Sequence, residues 1–73
     1  MSADEIIHRF TSRPTGTSQH RQAHEDVGSV CLETALTLDQ LLPAGAEKQA
    51  ALFRLEEVMF WADAAVARQP KES

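Results

Sequence analysis

The segment from Leu52 to Arg68, LFRLEEVMFWADAAVAR, carries more apolar surface than one neighbouring helix can cover. Leu52, Leu55, Met59, Ala62 and Val66 recur at three- and four-residue steps, which sets them on one face of a helix. Phe53, Phe60, Ala64 and Ala67 form a second face, with Val58 and Trp61 beside or between the two. One antiparallel partner helix covers one stripe. The second stripe requires another surface, and in a chain of 73 residues that surface is expected to be another copy of the protein.

Length sharpens the point. A domain this small buries only roughly 60% of the surface its unfolded chain exposes, so its own core is marginal. Small domains compensate with disulfides, a metal or oligomerisation. Cys31 is the only cysteine, which excludes a disulfide within the chain and fits a reducing, cytoplasmic setting. It sits among apolar helical positions and reads as a small buried side chain. No apolar run approaches the ~20 residues needed to span a bilayer. The opening MSADE is acidic and lacks the apolar core of a signal peptide. A soluble protein with no membrane partner is expected.

The pattern predicts an all-α chain. Ser2 to Glu5 has capping-box spacing, and Asp4 and Glu5 suit a helix N-terminus, so a short helical arm is expected over residues 3–10. Ile6 and Phe10, four apart, would anchor it on the body. Residues 11–18, rich in hydroxyls and punctuated by Pro14 and Gly16, read as a loop, with Thr17 or Ser18 able to cap the next helix. A first long helix is expected over residues 19–42, its inner face marked by Val27, Cys31, Thr34, Leu38 and Leu41 and widened by Val30, Ala35 and Leu42. Gly28 weakens it by about 1 kcal/mol relative to Ala but permits close approach of a helix or ligand. Pro43 and Gly45 break the chain, and a second long helix runs over residues 46–68 before a fraying tail, 69–73. So short a connection allows only an antiparallel return. The expected architecture is a single-domain helical hairpin with an N-terminal arm, assembled as a homo-oligomer.

Charge is unevenly distributed. The formal net charge of −4 argues against duplex nucleic-acid binding. Yet no acidic residue occurs from His8 to His24, a window holding Arg9, Arg13, Arg21 and all three histidines. Arg9 and Arg13 flank hydroxyls at Thr11, Ser12, Thr15, Thr17 and Ser18, and guanidinium forks suit phosphate oxygens. The start of the long helix near Gln19 adds N–H groups and a positive dipole end. This is a candidate cradle for a small phosphate-containing ligand, against the plainer reading of a solvated loop.

Other chemistry is sparse. His20 and His24 have the i, i+4 spacing of two metal ligands, but two histidines do not close a zinc site, and a solvated polar face is the simpler reading. Glu56 lies beside the core stripe and reads as structural rather than as an acid, with Arg54, Lys48 or Arg21 able to pair with it across the hairpin or between copies. There is no Gly-rich phosphate loop, Ser/His/Asp set or zinc motif. No enzyme activity, cofactor or metal is expected.

The second helix and its entry resemble a family of small phage hairpin proteins, the nucleotide sponges that counter the CBASS and Thoeris bacterial defences. The matching residues are Pro43, Glu47, Lys48, Leu52, Leu55, Glu56, Glu57, Trp61, Ala62, Ala64, Ala65, Ala67 and Arg68, a Glu-Lys entry followed by LEEVMFWADAAVAR. Upstream, Arg9-Phe10-Thr11 and Ser12-Arg13-Pro14 look like the family's Arg-Phe-x-Tyr-His-Pro entry. The chain departs from the pattern at Ser12 (Tyr in the family), at Gly45-Ala46 (Ser-Arg) and at Asp63 (Asn), and His24 and Gly28 stand where members often carry Tyr and Arg.

The resemblance implies a homo-oligomer, a dimer-based hexamer, that binds cyclic oligonucleotides or cyclic ADP-ribose isomers between protomers in the cytoplasm of an infected cell and does not cleave them. Carried onto this chain, it implies ligand contacts from Arg9 and Arg13 to phosphate or base faces, from Phe10 by stacking or by ordering the arm, and from Thr11 and Ser12. Lys48 and Arg68 would add charge from a neighbouring protomer. Phe53, Phe60, Trp61 and Ala64 would form the interface between protomers. The alternative is a hairpin that docks on another protein and binds no small molecule.

Overall fold

Three helices account for nearly all of the described chain, residues 1–11 and 20–68 of the computed structural model. Helix α1 spans Ala3–Phe10, α2 Arg21–Leu41 and α3 Ala46–Ala67. Among the described residues there is no strand. The expected loop over residues 11–18, apart from Thr11, with its capping Thr17 or Ser18, the expected helix start at Gln19, and the tail over 69–73 lie outside them.

Local chemistry sets the boundaries. At the start of α1 the Ser2 hydroxyl accepts the Glu5 backbone N–H at 3.1 Å, while Asp4 and Glu5 sit in the first turn, where the helix dipole favours anions. Thr11 ends the helix, its hydroxyl donating to the Ile7 carbonyl. Between the long helices, Gly45 adopts φ 153° and ψ −179°, a conformation essentially confined to glycine, and the next residue begins α3. Only residues 42–45 separate α2 from α3, so the second helix must fold back on the first.

Two polar contacts fix the register of that return. His24 Nδ1 lies 2.9 Å from Asp63 Oδ1, and Lys48 Nζ lies 2.9 Å from Asp39 Oδ1. Each helix advances by the same number of residues between the two contacts, so α2 and α3 stay aligned over about 22 Å at a helical rise of ~1.5 Å per residue. The arm is likewise placed at two points. The backbone nitrogen of Met1 donates to Gln49 Oε1 at 2.7 Å, and Arg9 Nη1 donates to Glu56 Oε1 at 2.8 Å. Helix α1 therefore runs parallel to α3 and antiparallel to α2.

The arm completes the core. Ile6 and Phe10 are fully buried in one cluster with Cys31, Ala35, Leu52 and Met59, flanked by partly buried Val27, Leu32, Leu36, Leu38 and Leu55. This confirms the stripe read from Leu52 through Met59 and the anchoring role of Ile6 and Phe10. The inner face of α2 requires correction. The buried positions are His24, Gly28, Cys31 and Ala35, whereas Thr34 is exposed and Val30 and Leu41 are 62% and 71% exposed. The helix is rotated so that its smallest side chains face inward, because the two bulky arm residues fill the space that larger α2 side chains would otherwise take. Thr34 instead returns its hydroxyl to the Val30 carbonyl at 2.8 Å.

Candidate functional site

Arg9 is the best-defined polar centre of the protomer. Its last-turn position on α1 points it across the arm's edge toward α3, where Glu56 stands between the buried Leu52 and Met59 and is only 15% exposed. The guanidinium donates through Nη1 to Glu56 Oε1 at 2.8 Å and through Nε to Glu5 Oε2 at 3.2 Å. Its central carbon stands 5.2 Å from the centroid of the Phe53 ring, within cation–π range. The Glu56 hydrogen bond first, and the Glu5 hydrogen bond second, raise the Arg9 pKa, so the cation is permanent. Within the protomer Glu56 thus pairs with Arg9 of the arm, and not with Arg54, Lys48 or Arg21 across the hairpin. Arg54 instead bridges to Glu57, one turn along the same helix, at 3.6 Å.

An arginine has five N–H donors. Glu5 and Glu56 engage two of them, which leaves three, and the side chain keeps 34% of its exposure. The centre can therefore present a fixed fork to a further anion. Its immediate charge balance is one cation against two carboxylates, so an anionic ligand there needs additional positive groups.

The other expected ligand contacts are spread out. Phe10 is fully buried, which fits ordering of the arm and removes its ring from stacking on a ligand in this conformation. Thr11 is exposed beside Arg9 in sequence. Ser12 and Arg13 lie outside the described residues. Lys48 is held at the loop end of the hairpin, where it also donates to the Asp39 carbonyl at 2.9 Å. Arg68 closes the opposite end of α3, donating its backbone N–H to the Ala64 carbonyl. Lys48 and Arg68 are separated by about 30 Å of helix, so one protomer cannot bring both to one small ligand.

The pair His20 and His24 does not form one solvated face. His24 is buried at 9% exposure and faces Asp63, so the solvated reading fails for it. Asp63 ties α3 to α2 instead of standing alone at a ligand surface. Burial, and secondarily the negative charge of Asp63, push the Cys31 thiol above its ordinary pKa, the opposite of an activated nucleophile. No group of three or more His, Cys, Asp and Glu side chains among the described residues could hold a metal.

Helix α3 keeps its surplus apolar surface. Phe53, Val58, Phe60 and Trp61 are 41%, 55%, 58% and 65% exposed, and Ala64 is half-buried. Arg54, Glu57, Val58, Trp61 and Ala62 line a shallow open groove along it. The Trp61 indole N–H reaches Glu57 Oε2 at 3.4 Å. The expected interface residues are thus presented outward, with Phe53 partly capped by Arg9. No described helix is long and apolar enough to cross a membrane.

A paired long hairpin, an arm that finishes its core and an apolar outer face define a small all-helical hairpin fold. The model of the Acb2/Tad1 hairpin domain matches residues 2–67, so the chain belongs to that family. The match extends through the arm and the first long helix, beyond the segment where the sequence motifs are densest. No curated protein and no solved structure matches the chain.

Proposed function

We propose that the protein is a phage anti-defence sponge that binds cyclic nucleotide second messengers, either cyclic oligonucleotides or cyclic ADP-ribose isomers, and holds them without cleavage. Membership of the Acb2/Tad1 hairpin family over residues 2–67 carries this reading. The oriented Arg9 fork, with donors to spare, supports it. So does the outward apolar face of α3, which suits a homo-oligomer, a dimer-based hexamer, in which sites form between protomers. Assembly supplies what one protomer lacks. Lys48 or Arg68 of a neighbouring copy, with Arg13, would offset the two carboxylates beside Arg9.

The chemistry of such a site is retention. Phosphate oxygens meet charge-assisted N–H donors, and bases are enclosed by apolar surface between copies. Calorimetry of the wild-type protein against cyclic di- and trinucleotides and cyclic ADP-ribose isomers tests the proposal. Saturable binding of at least one is expected, and no binding across the panel overturns it.

The exposed groove around Trp61 and Val58 favours a second reading, a hairpin that docks on a host or phage protein and ignores nucleotides. A stoichiometric protein partner whose capture is unchanged by added cyclic nucleotides would favour that reading.

A further inference from the structure

The ion cluster that docks the arm contains one carboxylate too many for a site that must accept an anion. Glu5 and Glu56 both bind Arg9, at 3.2 and 2.8 Å, while Phe53 occupies one face of the guanidinium at 5.2 Å. The two carboxylates are not equivalent. Glu56 is 15% exposed, on the rigid α3, and makes the shorter contact, whereas Glu5 is 46% exposed and is the i, i+4 neighbour on the arm's own helix. We propose that Glu56 is an internal counter-anion that limits the affinity of Arg9 for phosphate. It occupies one edge of the fork before any ligand arrives, and a bound phosphate must share the guanidinium with it. This deepens the sponge reading, on which it rests, by identifying a residue that sets affinity through Arg9 without itself contacting the ligand.

The sign follows from electrostatics. A phosphate on the remaining N–H groups of Arg9 would lie roughly 5–6 Å from the Glu56 carboxylate. Two like charges at that distance in a partly solvated setting repel by enough to change affinity about three- to tenfold. Glu56→Gln removes the charge but keeps an oxygen able to accept the Arg9 N–H, so the fork stays oriented. Glu5→Gln should act in the same direction but less, because its carboxylate is better screened by water.

Inorganic pyrophosphate is the probe, titrated into the full-length protein while the Arg9 Nε–H and backbone amide resonances are followed by NMR, the amides alone in Arg9→Gln. Glu56→Gln is expected to bind pyrophosphate three- to tenfold more tightly than wild type, Glu5→Gln less than threefold more tightly, and Arg9→Gln not at all. A solely structural role for Glu56 would lower the melting temperature without tightening binding. Unchanged or weaker binding by Glu56→Gln, with a native circular dichroism spectrum, overturns the proposal, as does an Arg9 resonance indifferent to pyrophosphate in every protein that retains Arg9. If Glu56→Gln unfolds, Glu56→Asp, which retains the charge, must not tighten binding, while Glu5→Gln must still do so. The sponge reading fails separately, if wild type ignores the cyclic nucleotide panel while Glu56→Gln still gains affinity for pyrophosphate.

Discussion

Replacing Phe10 with Ala distinguishes a core anchor from a ligand platform. Phe10 is completely buried against Ile6, Cys31, Ala35, Leu52 and Met59. A phenylalanine ring buries on the order of 150–250 Å² and at about 25 cal/mol/Å² is worth ~4–6 kcal/mol, an upper bound because unfolded chains already bury part of it. Measured Phe→Ala substitutions in cores cost ~3–5 kcal/mol. A chain of this length is expected to have a total stability of roughly 4–11 kcal/mol, at ~0.05–0.15 kcal/mol per residue. Phe10→Ala should therefore remove between about a quarter and all of it, releasing the arm and the Arg9–Glu56 contact together. Urea denaturation followed by circular dichroism, at two protomer concentrations to separate assembly from folding, measures the loss. A ligand-stacking ring would behave differently, costing binding ~1–3 kcal/mol and stability little. A stability loss below about 1 kcal/mol would refute the anchoring role.

Two further outcomes follow from the surface of α3 and from Cys31. Phe60→Glu places a charge on the 58% exposed ring position and should leave the protomer folded while dissociating the proposed oligomer; sedimentation showing the same mass as wild type contradicts the proposed interface. The Cys31 thiol is raised above 9.0 in the folded chain, so it holds its proton where the unfolded thiol has lost it. Its contribution is intact below about pH 9 and is lost as pH climbs from there through the folded value. Wild type should thus lose more stability than Cys31→Ala between pH 8 and 10.5, and equal losses would show that the thiol does not report folding.

Helix α3 was the most legible part of the sequence because its two stripes are long, bulky and regularly spaced. The stripe from Leu52 to Met59 is buried and the one through Phe53 and Phe60 is outward. Capping chemistry at Ser2 and the break at Pro43 and Gly45 placed the helix ends within one or two residues. The inner face of α2 was only partly legible from hydrophobicity: Val27, Cys31, Ala35 and Leu38 do face the core, whereas Val30, Thr34 and Leu41 do not. Val30 and Leu41 are stronger apolar residues than Gly28 or Ala35, but the arm's Ile6 and Phe10 select small neighbours, a constraint from another helix. Long-range polar pairing was equally hidden. Arg9 and Glu56 are 47 positions apart and His24 and Asp63 are 39 apart, and no local spacing rule links such residues. His24 and Asp63, two of the departures from the family pattern, turn out to satisfy each other. The candidate site was legible at Arg9 because a guanidinium beside hydroxyls is recognisable chemistry, whereas its two carboxylate partners depended on the docking of α1.

Sequestration without turnover is tested most directly by recovering what the protein has bound. The wild-type protein is loaded with the tightest-binding cyclic nucleotide, freed of unbound ligand, held at working temperature and then heat-denatured, and the released material is separated by chromatography. Intact ligand in stoichiometric proportion to the sites, unchanged after prolonged incubation, is the predicted result. A linearised or hydrolysed product would identify an enzyme, and protein recovered free of ligand would contradict the sponge and leave a protein-docking hairpin.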